Sequence, residues 1–257
     1  MDYSLSFKDK SVIITGGAGG IGLECARGYL QSGACVYIAD YSTDNLSVAE
    51  KELKETFPDG KIFFIQADIT CKKGIEKIIS AVRENTGTAD ILVNNAGVAR
   101  SIYSVNETEE GWARVLDINL TAQFFMCQEF AREFFIPAKK GKIVNMCSLG
   151  GVMGIPAAAA YSASKGALIQ TTKALACEWA RFGIQINAVC PGFVDTPLIA
   201  ENTADERWLG YVTMRTPQRR LAVPEDVAGA VLFLSSHLAD FITGTSIVVD
   251  GGFSSGS

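Results

Sequence analysis

The sequence predicts an α/β protein: one doubly wound domain with a seven-stranded parallel sheet flanked by helices. Three observations lead there. Short β-branched runs alternate with helical patterns along the whole chain, as repeated β-α-β units do. The first strand runs straight into a glycine-rich turn and a helix. The second strand ends in an acid. No linker or internal repeat divides the 257 residues, so a single domain over 1–257 is expected.

Composition narrows the function. The formal charge of −5 is spread without a basic stripe, which argues against nucleic-acid or anionic-membrane partners. Seven cysteines, an odd number with no C-x-x-C, read as reduced thiols in a cytoplasmic protein. Cys147 reads as a packing residue. His237 is the single histidine, so neither Ser-His-Asp hydrolysis nor a multi-histidine metal site is expected, and no metal is assigned. Met1 to Lys10 carries Asp2, Lys8, Asp9 and Lys10 and does not read as a signal peptide. The uncharged run Ile143–Ser164 is broken by Asn145, Gly150, Gly151, Gly154 and Pro156, so it reads as a buried strand and loop rather than a membrane span.

Ser11–Thr15 is the first strand. It enters Gly16-Gly17-Ala18-Gly19-Gly20-Ile21-Gly22 and a helix through Leu30, with Gly33 as its carboxyl-terminal glycine. This is the Rossmann-type arrangement that sets backbone N–H groups and a helix N-terminus against a pyrophosphate. The glycines fit two registers, Gly17-x-Gly19-x-x-Gly22 and Gly16-x-x-x-Gly20-x-Gly22, and spacing does not choose between them.

Ala34–Ala39 is a second buried strand, closed by Asp40. A carboxylate about twenty residues past the glycines accepts ribose hydroxyls and repels the extra phosphate of NADP. No arginine follows it, so NAD is the expected cofactor; the plainer reading of Asp40 is a cap for the helix over 42–57.

A third strand covers Ile62–Ile65, with Asp68 beyond it and Thr70 as cap of a helix reaching Gly87. Asp90–Gly97 is an apolar strand ending in Asn94 and Asn95, at the end of the sheet where ligands bind. Thr108–Ile136 is helical, and Asn119 inside it points to a kink or a polar network. Lys142–Met146 is the fifth strand and leads to Ser148; a helix over Tyr161–Phe182 and a strand over Ile184–Cys190 follow. Residues 193–223 read as irregular and rich in apolar side chains, which suggests a substrate lid. Pro224 starts the last helix, and Thr245–Val249 is the seventh strand.

Tyr161 and Lys165 lie one helical turn apart. Such a pair is commonly a snorkelling surface pair. An ammonium beside a phenol also favours the phenolate, and a nearby hydroxyl such as Ser148 could hold a carbonyl or alcohol oxygen against it.

Taken in order, Thr15-Gly16-x-x-x-Gly20-x-Gly22, Asp68, Asn94-Asn95-Ala96-Gly97, Asn119, Ser148, Tyr161-x-x-x-Lys165 and Pro191-Gly192 with Thr196 resemble the short-chain dehydrogenase/reductase family over nearly the whole chain. The resemblance selects Gly16, Gly20 and Gly22 as the family's glycines. It implies Tyr161 as acid/base, Lys165 on the nicotinamide ribose, Ser148 on the substrate oxygen and Asn119 in a water relay through Lys165. It also implies cofactor contacts at Ile21, Asp68, Ile69, Asn95, Pro191, Val194 and Thr196, with Asn94 on the adenosine side.

The stretch Arg215–Leu221 and Asp40 look similar to the family's bacterial polyol and sugar-acid dehydrogenases, gluconate 5-dehydrogenases among them. The implied reaction is hydride transfer between NAD(H) and a secondary alcohol or ketone, in a homotetramer. The alternatives are a 3-oxoacyl thioester reductase, a hydroxysteroid dehydrogenase with Trp208 and Tyr211 lining an apolar cavity, and a catalytically silent NAD-binding regulator.

Overall fold

A computed structural model describes residues 4–256; Met1, Asp2 and Tyr3 of the polar amino-terminal stretch, and Ser257, lie outside the described residues. Seven strands form one sheet: β1 Ser11–Thr15, β2 Cys35–Asp40, β3 Ile62–Gln66, β4 Ile91–Asn94, β5 Gly141–Met146, β6 Ile184–Pro191 and β7 Ser246–Val249. Their order is β3-β2-β1-β4-β5-β6-β7, with every pairing parallel. The chain starts in the middle, winds out to β3, then returns to β4 and winds the other way. This reversal opens a crevice beyond the carboxyl ends of β1 and β4, where open α/β sheets take their ligands.

Both faces of the sheet are covered, which explains why its strands read as continuous apolar runs. Ile13 and Ile14 are fully buried on opposite faces. Ile14 joins a layer with Val12, Val36 and Ile38 under α1 (Gly20–Gln31) and α10 (Pro224–Ser235). Ile13 joins Tyr37, Leu92, Ile143 and Ile186, a layer that also takes in Ile78 of α3 (Lys72–Asn85). Each such side chain contributes roughly 1.5–3 kcal/mol by leaving water. α2 (Thr43–Thr56) begins at Ser42, whose hydroxyl accepts the Asn45 N–H at 3.2 Å. Ser42, not Asp40, is therefore the cap of that helix.

After β4 the helical stretch runs as α4 (Glu109–Leu116), α5 (Ala122–Phe130) and α6 (Ile136–Ala138), joined by π turns at Asp117–Thr121 and Ala131–Phe135. The first π turn contains Asn119, so the expected irregularity falls on that residue. α7 (Ala159–Trp179) carries Tyr161 and Lys165.

Two local expectations are corrected. Thr70 does not cap α3: Cys71 holds that position, and its side chain caps no helix N–H. Thr70 instead donates its N–H and hydroxyl to Asp68 Oδ1, at 2.9 and 2.7 Å, closing a turn after β3. The stretch over 193–223 is largely helical, with a 3₁₀ turn at Pro197–Ile199, α8 (Ala200–Thr203) and α9 (Glu206–Arg215). Asp205 caps α9 by accepting from Arg207 N–H at 2.9 Å. Val212 buries itself with Leu149 and Phe253, giving the helix an apolar seat that lies far away in sequence.

Candidate active site

A cleft of about 710 Å³ runs across the carboxyl ends of the strands, past Gly16, Gly19, Gly20 and Ile21 and then Asp40, Asp68, Ile69, Asn95 and Thr196. A chamber of about 160 Å³ adjoins it and shares Ile21, Asn95, Gly97, Thr196 and Leu198 with the cleft. Ser148, Tyr161, Lys165, Pro191 and Val194 line the chamber.

The turn after β1 fits a dinucleotide on its own geometry. Gly16 and Gly20 have φ of +60° and +51°, a conformation glycine adopts without strain. The N-cap of α1 is Gly19, so no side chain occupies the first-turn N–H groups that an anion would take. Gly22 faces the other way: a Cβ there would lie 2.4 Å from Gly16 O and 2.5 Å from Asn95 Nδ2. Its part is to let α1 close on the turn, and it does not line the cleft. Asn95 braces the turn, donating from Nδ2 to Thr15 O at 3.1 Å and Gly16 O at 2.8 Å.

Asp40 stands on the cleft wall beside Tyr41 and Asn45. Its carboxylate accepts the Ala18 N–H at 3.2 Å and the Ser42 N–H at 3.0 Å. The acid thus ties the end of β2 to the glycine turn. Asn94 departs from its expected place. Neighbouring strand residues point to opposite faces, and Asn94 points into the core, fully buried, donating to Asn145 Oδ1 at 3.0 Å. Asn145 in turn donates to Thr172 Oγ1 at 2.9 Å, which links β4, β5 and α7. Of the two amides, Asn95 alone lines the cleft.

In the chamber, Ser148 Oγ accepts the Gly150 N–H at 3.0 Å and lines the wall with the Tyr161 phenol. Burial holds that phenol above its ordinary pKa, the nearby Ser148 hydroxyl opposing the shift. Lys165 Nζ donates to Met146 O at 2.7 Å, and burial lowers its pKa to about 8. The sequence suggests an ammonium drawing the phenol's pKa down. In the folded protein desolvation dominates both groups, so the phenol is protonated at neutral pH.

Asn119 is buried and its side chain is committed. Oδ1 accepts the Val98 N–H at 2.8 Å, while Nδ2 donates to Val98 O at 2.9 Å and Ser164 Oγ at 3.2 Å. Ser164 Oγ donates onward to Tyr161 O at 2.7 Å. The amide brackets the loop after β4 to the first turn of α7. Sequence reasoning passed over Ser164, although its place between Tyr161 and Lys165 on the inner face of α7 marked it as buried. The rest of the chamber wall is apolar: Leu149, Ile155, Phe193, Leu198 and Ile199. Trp208 stands behind that wall, edge-on to Phe193 at 5.3 Å, and Tyr211 is exposed, so neither lines the chamber. Among the described residues no cluster of metal-ligating side chains occurs, and no helix is long and apolar enough to cross a membrane.

A nucleotide cleft that opens onto a Ser-Tyr-Lys cluster, with Ser148 and Lys165 buried and Tyr161 half-buried, defines a dinucleotide-dependent oxidoreductase. A family profile described as enoyl-(acyl carrier protein) reductase matches residues 16–254. The chain is 34% identical over 248 residues to gluconate 5-dehydrogenase of Gluconobacter oxydans, covering 96% of this chain and 95% of that protein. It is 35% identical over 256 residues to the NAD-dependent glycerol dehydrogenase of Listeria innocua, covering 98% and 96%. A solved gluconate 5-dehydrogenase of Burkholderia cenocepacia, in complex with NADP and tartrate, superposes with a TM-score of 0.91 at 32% identity, covering 98% of each chain. The chain belongs to the short-chain dehydrogenase/reductase family, and is an oxidoreductase that transfers hydride at CH–OH groups.

Proposed function

We propose that this enzyme interconverts a small polyol, sugar or sugar acid and its ketone with NAD(H). The observation that carries the reading is that Tyr161 and Ser148 line one wall of a chamber that opens into the nucleotide cleft, with Lys165 beside them. Gly16, Gly19, Gly20, Asp40, Asp68, Ile69 and Asn95 would hold the dinucleotide, Lys165 its nicotinamide ribose, and Pro191, Val194 and Thr196 the nicotinamide end. When bound, the nicotinamide supplies the hydride acceptor or donor.

The chain's own residues handle the oxygen and its proton. In reduction, Ser148 Oγ steadies the carbonyl oxygen and Tyr161 donates its phenolic proton there. In oxidation, the same phenol must first lose that proton to accept the hydroxyl's. Asn119 acts through Ser164, fixing the helix turn on which Tyr161 stands, and its Oδ1, which accepts one bond from Val98 N–H, keeps a lone pair for a water in a relay through Lys165.

Chamber size argues for a small substrate. About 160 Å³ is below the roughly 300 Å³ at the lower end of drug-sized pockets, which disfavours a steroid or an acyl thioester. The preference for NAD rests on Asp40, whose neighbours Tyr41 and Asn45 offer no cation to a 2′-phosphate. We also infer a cytoplasmic homotetramer: the outer edge of β7 is unpaired in one chain, and Phe241 and Val248 are exposed near it. Initial rates with glycerol-like polyols, sugar acids, steroids and acyl thioesters, each with NAD and NADP, test the reading. Turnover confined to steroids or thioesters, or a clear preference for NADP, would overturn it.

A further inference from the structure

Two thiols beneath the catalytic serine take no part in hydride or proton transfer. β5 and β6 pair in parallel up to Met146 opposite Val189, a pair closed by the Cys147 N–H donating to Val189 O at 2.8 Å, and Cys147 and Cys190 are the next residues of the two chains. Cys147 and Cys190 are therefore side-by-side neighbours on adjacent strand ends. Both turn toward α7, into one cluster with Leu168, Ile169 and Ala188. Neighbouring strands lie about 4.8 Å apart, inside the roughly 4.4–6.8 Å between Cα atoms that a disulfide spans.

We propose that Cys147 and Cys190 are an oxidisable dithiol whose closure to a disulfide switches the active site off. Four observations support this. The two thiols lie in one buried cluster on neighbouring strands and perturb each other's protonation. The pair lies close enough to the buried Lys165 ammonium to feel its charge, an electropositive surrounding of the kind that favours a thiolate. Cys147 lowers the pKa of Cys190, while its own is raised by that neighbour and by burial, so Cys190 is the thiolate-forming member. Finally, Cys147 lines the substrate chamber, which gives a small oxidant a route to the pair. Cys25 and Cys127 contrast with Cys190: equally buried, they have no thiol among the groups acting on them, and burial pushes each to about 12, whereas the pKa of Cys190 is lowered.

With a peroxide as oxidant, one thiol cleaves the O–O bond, giving a sulfenic acid and one water. The second thiol then displaces the hydroxyl as a second water, and the S–S bond forms. Two thiols lose two electrons and two protons, and the peroxide is reduced to two waters. Closure draws the sulfurs together to about 2.05 Å and shifts the backbone at Cys147. Ser148, the next residue after Cys147, loses its seat. The effect on turnover rests on the function proposed above, whereas the linkage itself does not.

The test uses the full chain carrying Cys71→Ser and Cys177→Ser, which removes the two exposed thiols. The protein is treated with hydrogen peroxide, alkylated, digested without reduction and read by mass spectrometry. The expected result is a peptide joining Cys147 to Cys190, with at least about a tenfold loss of NAD-linked turnover that dithiothreitol reverses and saturating NADH slows. Adding Cys190→Ala, or Cys147→Ala should the first variant fold poorly, should abolish the linkage and let the protein keep its own starting activity through the same peroxide dose. Absence of the joined peptide, inactivation without it, or full activity with it would each overturn the proposal. Should no alcohol turn over even before oxidation, the function reading fails while the peptide still decides the linkage.

Discussion

Tyr161 and Lys165 have pKa values displaced by the same burial in opposite directions, and each displacement has a measurable consequence. The phenol is held protonated above its ordinary range, so alcohol oxidation, which needs the phenolate, should rise with pH through the alkaline region while ketone reduction does not. Steady-state pH profiles in both directions check this, and an oxidation rate already flat at neutral pH would contradict it. Tyr161→Phe should lower kcat by about a thousandfold or more and leave NADH affinity, read by fluorescence titration, within a few fold, because only the proton-transferring hydroxyl is removed. Lys165 is the other half. Its folded pKa is about 8 against 10.5 in the unfolded chain. Between those values the unfolded chain binds more protons, so this residue makes stability rise with pH across that window, by about 3 kcal/mol at most. The difference in unfolding free energy between Lys165 and Lys165→Met, both in a Cys147→Ala, Cys190→Ala background and measured from pH 7.5 to 10, separates the effect from those cysteines.

At the scale of single elements, the π turn over Asp117–Thr121 shows what a polar residue inside a helix can do. Asn119 there holds Val98 and Ser164 by three hydrogen bonds. Asn119→Leu leaves those buried groups without partners, at about 1–3 kcal/mol each. We expect a stability loss of about 3 kcal/mol by urea unfolding, together with a lower kcat, since the first turn of α7 loses its bracket. A substitution that spared both would refute the bracket.

The helix irregularity was legible from sequence because a mid-helix asparagine is unfavourable unless it is used. The glycine turn and Asp40 were legible because both are fixed by local chemistry. The roles of Asn94 and Asn95 were not, since which of two adjacent amides faces the cleft depends on strand phase. Thr70 misled because a threonine ahead of a helix competes with the turn that Asp68 offers one step earlier. The helices within 193–223 were missed because Val212 finds its partners in Leu149 and Phe253, contacts that no local pattern announces.

Across the whole molecule, the two windings of the sheet divide the labour. β1, β2 and β3 present the glycine turn, Asp40 and Asp68, while β5, β6 and α7 present Ser148, Pro191, Tyr161 and Lys165. Asn95 at the end of β4 joins the two sides through Thr15 and Gly16. A dinucleotide lying along the cleft would touch both windings and bind only the folded chain, so it should stabilise the whole domain by mass action. At one hundred times its dissociation constant the gain is about 2.7 kcal/mol, or a rise in Tm of about 5–10 °C for a chain of this size.

Differential scanning calorimetry with NAD and NADP at equal concentration also tests Asp40, whose carboxylate should make the NADP shift the smaller of the two. Asp40→Ser should narrow that gap from the NADP side. In Gly22→Ala the shift should nearly vanish, because the added methyl would press on Gly16 O and Asn95 Nδ2, at 2.4 and 2.5 Å, and distort the turn that both windings share. Equal shifts with the two nucleotides would remove Asp40 as the discriminating group. No shift with either would mean that the crevice between β1 and β4 is not the nucleotide site.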